Sequence, residues 1–135
     1  MRVVVDCNLL ISAFGWGGKP HALMGRVVDG WDTLFVTDDI LGELEETVEK
    51  PHLAAVKNRL MTVVSFIRKY SQTVVILPHH KTNVCRDKDD NMYLECADAA
   101  NVDYIISGDK HLRELGEYKD IKIVNVSEYL EIVNS

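Results

Sequence analysis

The sequence has few cysteines, no long apolar run and no excess of positive charge, and each absence excludes a class of protein. The three cysteines among 135 residues, Cys7, Cys85 and Cys96, show no CxxC or zinc-finger spacing. They predict reduced thiols in a cytoplasmic protein rather than a disulfide framework. No run approaches the roughly 18 apolar residues that a membrane-spanning helix needs. The chain also begins on a β-branched run, without the pattern of a secretory signal.

The net charge of −6 argues against a DNA-coating protein, which would normally carry a basic stripe. It does not exclude a nuclease, because an acidic metal site adds negative charge and bound divalent ions reverse its local sign. The length suits a single domain spanning residues 1–135, and no linker, repeat or low-complexity segment divides it.

The order of apolar segments predicts an α/β fold with a parallel sheet between helices. Val3, Val4 and Val5 form an unalternating β-branched run, which predicts a first strand buried on both faces and ending at Asp6. We predict further strands at 33–36, 73–77, 102–109 and 121–124. We predict helices at 21–29, 38–50, 53–67, through Tyr93–Ala100, at 110–115, and at the end of the chain with Ser127 as its cap. The Gly-rich composition of residues 15–20 predicts a loop.

Acidic side chains fall at one edge of this predicted sheet. Asp6 and Asp109 follow strands, and Glu43 and Asp90 lie in the first turns of helices that begin at the same edge. A simpler interpretation is that Asp6 only caps the next helix. The helix dipole also favours acids at a helix start, which suffices for the neighbouring Asp87 and Asp89.

Four converging carboxylates would repel one another, and a hard divalent cation such as Mg²⁺ or Mn²⁺ would remove that conflict. Two such ions, roughly 3.5–4 Å apart, can activate water and stabilise the leaving oxygen in phosphodiester hydrolysis. Asn8 and Ser107 are neutral residues at the same edge that can hydrogen-bond the carboxylates.

Four segments in order carry a resemblance to a known family. They are Val-Val-Val-Asp6-Cys-Asn8-Leu-Leu-Ile-Ser12-Ala, Ile40-Leu-Gly-Glu43-Leu-Glu-Glu-Thr-Val-Glu-Lys-Pro51, Arg86-Asp-Lys-Asp-Asp90-Asn-Met-Tyr-Leu-Glu-Cys-Ala97 and Tyr104-Ile-Ile-Ser107-Gly-Asp109-Lys-His-Leu. With these segments the chain resembles the PIN-domain family, most closely the branch that contains the toxins of toxin–antitoxin systems.

The resemblance implies a three-layer α/β/α sandwich with a central parallel sheet of about five strands. It also implies a metal-dependent endoribonuclease that uses Mg²⁺ or Mn²⁺, forms homodimers and is blocked by a cognate antitoxin. Carried over by position, the metal-binding catalytic acids become Asp6, Glu43, Asp90 and Asp109. Asn8 and Ser107 become supporting groups, and the acidic run at 87–90 leaves the register open by about one residue.

A basic rim around the same edge is the candidate for RNA binding. Its members are Lys19, Arg86, Lys88, Lys110 and Arg113. Trp16 in the Gly-rich loop could stack on a base, or it could pack at a dimer interface. The basic face of the 53–67 helix is either solvated or contacts phosphates.

Two other functions remain open. A phosphatase of the haloacid-dehalogenase type also ends its first strand with Asp, but it needs a second acid where this chain has Asn8. A non-catalytic module would keep the acids as a weak metal or partner site and would bind an antitoxin or another protein.

Overall fold

The computed structural model describes residues 1–135. The strands are β1 Arg2–Val5, β2 Thr33–Val36, β3 Ser71–Thr73, β4 Tyr104–Ile106, β5 Glu117–Tyr118 and β6 Ile121–Val124. The helices are α1 Cys7–Gly15, α2 Gly18–Val28, α3 Asp38–Val48, α4 Lys57–Tyr70, α5 Asn91–Ala100, α6 Lys110–Arg113 and α7 Val126–Asn134. Short 3₁₀ segments cover Pro51–Val56, Pro78–His80 and Lys88–Asp90.

The strands form one sheet in the order β3-β2-β1-β4-β6-β5. Every neighbouring pair is parallel except β5 with β6, so the predicted parallel sheet is confirmed with one antiparallel edge strand added. From β1 the chain adds β2 and β3 on one side of the sheet. It then crosses back and adds β4 on the other side of β1. The boundary between β1 and β4 is therefore a topological switch point, where α/β sheets bind ligands.

Helices cover both faces of the sheet. The exposed fractions of Val3, Val4 and Val5 are 0%, 0% and 1%, so β1 is buried on both faces as predicted. Helices α1 to α4 pack on one another, whereas α5 packs on β1, β2 and β4. Right-handed crossovers place these two groups on opposite faces. None of the helices is both long enough and apolar enough to span a membrane.

The prediction of a strand at 73–77 was wrong, because β3 ends at Thr73. Its neighbour β2 ends at Val36, whose carbonyl accepts the last hydrogen bond, from the backbone of Val74 at 2.9 Å. The chain of β2 then turns into α3, so residues 75–77 have no strand to pair with. Val75 is accordingly 77% exposed.

Several boundaries also differ from the prediction. Helix α2 begins at Gly18 within the predicted loop and ends at Val28, whose side chain is exposed. Pro51 starts a 3₁₀ segment before α4 instead of only ending the helix before it. The cap of α7 is Asn125, not Ser127: its Oδ1 accepts from the backbone of Glu128 at 2.8 Å, which completes a capping box.

The basic side chains of α4 bind other groups of the same chain. Lys57 pairs with Glu49 at 2.9 Å, and Arg68 pairs with Glu45. Arg59 donates to the carbonyl of Gly15 at 2.6 Å, at the end of α1. These contacts argue against phosphate binding by this face, and they show that its basic groups are paired within the chain instead of being only solvated.

Candidate metal centre

Asp6 lies at the switch point because of the register between β1 and β4. Val5 pairs with Ile106, so the next residues, Asp6 and Ser107, are neighbours. Oδ1 of Asp6 accepts from the backbone of Leu9 at 2.8 Å and caps α1. Oδ2 accepts from the hydroxyl of Ser107 and from the backbone of Gly108 at 3.2 Å. Capping therefore accounts for only one of the two carboxylate oxygens.

Asp109 is positioned by the same serine. Its backbone N–H donates to Oγ of Ser107 at 2.9 Å, and its Oδ1 accepts from the backbones of His111 at 2.7 Å and Leu112 at 3.3 Å. Asp6 and Asp109 open into a common cavity of about 240 Å³. The rest of its lining consists of Asn8, Leu9, Ser12 and Gly108.

Asp90 is buried, and its Oδ2 has no hydrogen-bond partner. The loop before it is fixed by neighbouring groups: Oδ1 of Asn91 accepts from the backbone of Cys85 at 2.9 Å, and Asp87 accepts from the backbone of Asp89 at 3.0 Å. A buried carboxylate oxygen without a partner is costly, so this oxygen is a candidate ligand for a group that is not part of the chain.

Burial is the largest cause of the raised pKa of Asp90, and together with the nearby charge of Asp109 it brings that pKa to about 7. Burial also raises the pKa of Asp6, although the hydrogen bond from Ser107 partly opposes the shift. Asp6 and Asp109 each contribute to the pKa of Asp90, so the three carboxyl groups lie close enough to repel one another.

No Lys or Arg neutralises this group of acids. The only basic group in contact with any of the four predicted ligands is the imidazole of His111, whose Nδ1 lies 3.7 Å from Oδ1 of Asp109. An all-oxygen set without a positive partner, including an unpartnered buried oxygen, fits a hard divalent cation.

Glu43 lies beside the three aspartates rather than among them. It is half-buried on α3 and lines a separate cleft of about 330 Å³ with Lys88, Asp89 and Asn91. The thiol of Cys7 is close to both regions: burial raises its pKa to about 12, and the charges of Asp6 and Glu43 both add to the shift. Cys7 is therefore a common neighbour of Asp6 and Glu43.

Sequence reasoning missed His111. A carboxylate oxygen of Asp87, one of Asp90 and a ring nitrogen of His111 all lie within 4.8 Å of one another. The available signal was its position, since His111 follows Asp109 by two residues in the first turn of α6. The structure also brings Asp87 to the centre, whereas Asp89 lines the cleft of Glu43.

Three members of the predicted basic rim are paired with other side chains, and two are not. Lys19 donates to Oγ of Ser127 at 2.9 Å, Arg86 pairs with Glu114 at 3.5 Å and Arg113 pairs with Glu128 at 3.5 Å. Lys88 and Lys110 form no ion pair and are exposed. These two lysines are the free cations beside the acids.

The fold and the acidic centre together define an α/β/α domain with a candidate metal site at its switch point. A family model of the PIN domain matches residues 2–111, a range that contains all four acids. The chain therefore belongs to the PIN-domain family, whose members are generally nucleases that use divalent metal ions.

The chain is also similar to one protein in sequence and to one solved structure in fold. It is 31% identical over 131 residues to the uncharacterized protein MJ1680 of Methanocaldococcus jannaschii, covering 93% of this chain and 83% of the relative. Its fold is similar to a crystal structure of VapBC2 from Rickettsia felis bound to a DNA fragment from their promoter. That likeness has a TM-score of 0.66 and 11% identity, over 93% of this chain and 98% of the other.

Proposed function

We propose that this protein is a metal-dependent endoribonuclease and the toxin of a toxin–antitoxin pair. The observation that carries the proposal is the buried, unpartnered Oδ2 of Asp90 beside two further carboxylates without a Lys or Arg. A purely structural acid cluster would pair or expose such an oxygen.

Asp6, Asp90 and Asp109, with Glu43 beside them, would hold Mg²⁺ or Mn²⁺. When bound, the ion would lower the pKa of a water and stabilise charge on a phosphodiester oxygen. The chain supplies the positioning: Ser107 and Gly108 orient Oδ2 of Asp6, and the backbone of α1 holds Oδ1. Asn8, exposed at the mouth of the cavity, would orient a water or a ribose hydroxyl.

Single-stranded RNA is the substrate we propose. The cavity at Asp6 and Asp109 is open, and the free ammonium groups of Lys88 and Lys110 lie near the acids, where each would contact a backbone phosphate. Lys19, Arg86 and Arg113 would first have to leave their present partners, so we assign them a smaller role.

We also propose a cognate antitoxin and a homodimer as the partners of this chain. The support for the antitoxin is the fold shared with VapBC2, whose crystal structure contains a DNA fragment from its promoter. The homodimer is proposed from membership of the PIN-domain family alone. The three cysteines are buried free thiols, which suits the reducing cytoplasm as the place of action.

The test is cleavage of defined single-stranded and hairpin RNAs, with matching DNAs, by protein stripped of metal and then given Mg²⁺, Mn²⁺ or EDTA. RNA cleavage that requires both metal and Asp6 supports the proposal. Equal cleavage by Asp6→Asn indicates a contaminating nuclease. Tight partner binding without cleavage by any divalent ion would instead favour the non-catalytic binding module.

A further inference from the structure

We propose that Trp16, Lys50 and His52 form a subsite that binds a nucleotide of single-stranded RNA, with the base stacked on the indole of Trp16. This inference rests on the proposed ribonuclease function and extends it from the acids to a second cavity along α1.

The subsite is connected to the acidic centre by one face of α1. Asn8, Ser12 and Trp16 are spaced four residues apart, so they share that face, and Trp16 lies about 12 Å along the helix from Asn8. Asn8 and Ser12 line the cavity of Asp6 and Asp109, and the same two residues line a second cavity of about 390 Å³. That second cavity is completed by Ile11, Trp16, Thr47, Lys50, His52 and Leu53.

The indole is exposed on a fixed backbone. The Trp16 side chain is 64% exposed, and the backbone N–H of this residue donates to the carbonyl of Ser12 at 3.0 Å. Arg59 holds the adjacent carbonyl of Gly15 at 2.6 Å. Gly17 then turns the chain away with a φ of 79°, a conformation that side chains other than glycine rarely adopt. The backbone that carries the ring therefore needs no further ordering when a base stacks on it, which lowers the entropic cost of binding.

The charges of this cavity suit a nucleic-acid strand. Lys50 and His52 form no ion pair, and both are exposed, so Lys50 is available to a phosphate. A strand whose scissile phosphate lies at the acids would pass Asn8 and Ser12 and bring a base to Trp16 a few nucleotides away. A single strand fits better than a duplex, because only unpaired bases offer a free face for stacking.

The chain contains a matched control for a fluorescence test. Its other tryptophan, Trp31, is similarly exposed at 68% but precedes β2 at the opposite edge of the sheet. In an Asp6→Asn background, which prevents cleavage, Trp31→Phe leaves only Trp16, and Trp16→Phe leaves only Trp31. A short unstructured RNA should quench Trp16 emission and leave Trp31 emission unchanged.

Affinity measurements separate stacking from charge. Trp16→Ala should weaken binding of this RNA roughly five-fold to a hundred-fold, with a smaller loss in Trp16→Phe, which retains an aromatic ring. Lys50→Gln should reduce the slope of log affinity against log salt by about 0.7, the value for one phosphate contact on a single strand.

Unchanged Trp16 emission together with unchanged affinity in Trp16→Ala would overturn the subsite. Trp16 emission that responds to protein concentration but not to RNA would also overturn it, in favour of a protein interface. Cleavage by the wild-type protein, measured in parallel, distinguishes the two proposals. Cleavage without any change in Trp16 emission on RNA binding rejects only the subsite. RNA binding at Trp16 without metal-dependent cleavage rejects only the nuclease.

Discussion

The hydroxyl of Ser107 donates a hydrogen bond to Oδ2 of Asp6, although 101 positions of sequence separate the two residues. The same hydroxyl oxygen accepts the backbone N–H of Asp109 at 2.9 Å. One neutral, fully buried side chain therefore fixes the relative positions of two acids that follow different strands. It does so without neutralising either acid, so the negative charge stays available to a cation.

Ser107→Ala should lower metal affinity and metal-dependent cleavage by about 10-fold to 100-fold, the usual effect of removing a group that orients a ligand. Calorimetric titration of metal into the metal-free protein measures the affinity. Ser107→Thr keeps the hydroxyl and should retain most of the affinity. Equal losses in the two variants would mean that packing, not the hydrogen bond, sets the effect.

Asp6→Asn should reduce RNA cleavage by on the order of 100-fold or more, because the amide is a poor replacement for an anionic metal ligand. The fold should persist, since an amide oxygen can still cap α1. Initial cleavage rates and circular dichroism check the two statements. Asp29→Asn, at the exposed end of α2 on the opposite edge, is the matched control and should cleave normally.

Metal-free protein should lose stability as the pH rises from about 4 to about 7. The folded-state pKa of Asp90 is raised from 3.8 to about 7, so within this window the unfolded chain releases a proton that the folded chain retains. Deprotonation therefore favours unfolding across the window, and the penalty is complete above pH 7. Urea denaturation at several pH values in EDTA measures it.

Asp90→Asn removes this penalty. It should stabilise the metal-free protein by about 1 kcal/mol or more at pH 8 and have little effect at pH 4. Saturating Mg²⁺ should reverse the order at pH 8, because only the wild type retains the carboxylate. A stability difference between Asp90→Asn and the wild type that is the same at pH 4 and pH 8 would show that the pKa of Asp90 is not raised in the folded protein.

His111→Gln should change metal preference more than metal binding in general. Imidazole favours ions such as Co²⁺ and Zn²⁺, whereas carboxylates suffice for Mg²⁺. We expect the ratio of Co²⁺ to Mg²⁺ affinity to fall about 10-fold, and the visible spectrum of bound Co²⁺ to change. Equal weakening of both ions would assign His111 a purely structural role through its contact with Asp109.

A buried charge at the opposite edge of the sheet contributes to stability instead of catalysis. Asp32 is 3% exposed and accepts from Nε of Arg26 at 2.8 Å and from the hydroxyl of Tyr129 at 2.6 Å. Tyr129→Phe should cost about 1.5–3 kcal/mol, because it removes a hydrogen bond to a buried charge. Chemical denaturation measures the cost, and RNA cleavage below the unfolding transition should not change.

The sequence predicted the centre of the molecule better than its periphery. The valines of β1 and the strand at 33–36 specify buried strands locally, and Asp6 and Asp109 follow from the rule that parallel strands end at one edge. The boundary of β3 depends instead on where its neighbour stops pairing, which is a property of two distant segments. The two-residue β5 is too short to leave any periodic pattern.

The positions of Glu43 and His111 relative to the aspartates could not be predicted from the sequence. Glu43 lines a different cleft from Asp6 and Asp109, a relation set by the packing of α3 on α1 and not by spacing along either helix. His111 joins the centre only because the turn after Asp109 directs α6 back toward Asp87. Such contacts depend on three-dimensional folding of loops that have no sequence period.

The pairing of β1 with β4 has a consequence for synthesis of the protein. The centre joins residues about a hundred positions apart, because Ser107 and Asp109 follow Asp6 by that distance and the register of Val5 with Ile106 forms only once β4 has been made. Synthesis of the segment from β1 to β4 therefore has to finish before the acids can meet. A chain that ends before β4 has no assembled centre, because Asp6 then lacks both the hydroxyl that orients it and the second acid of its cavity.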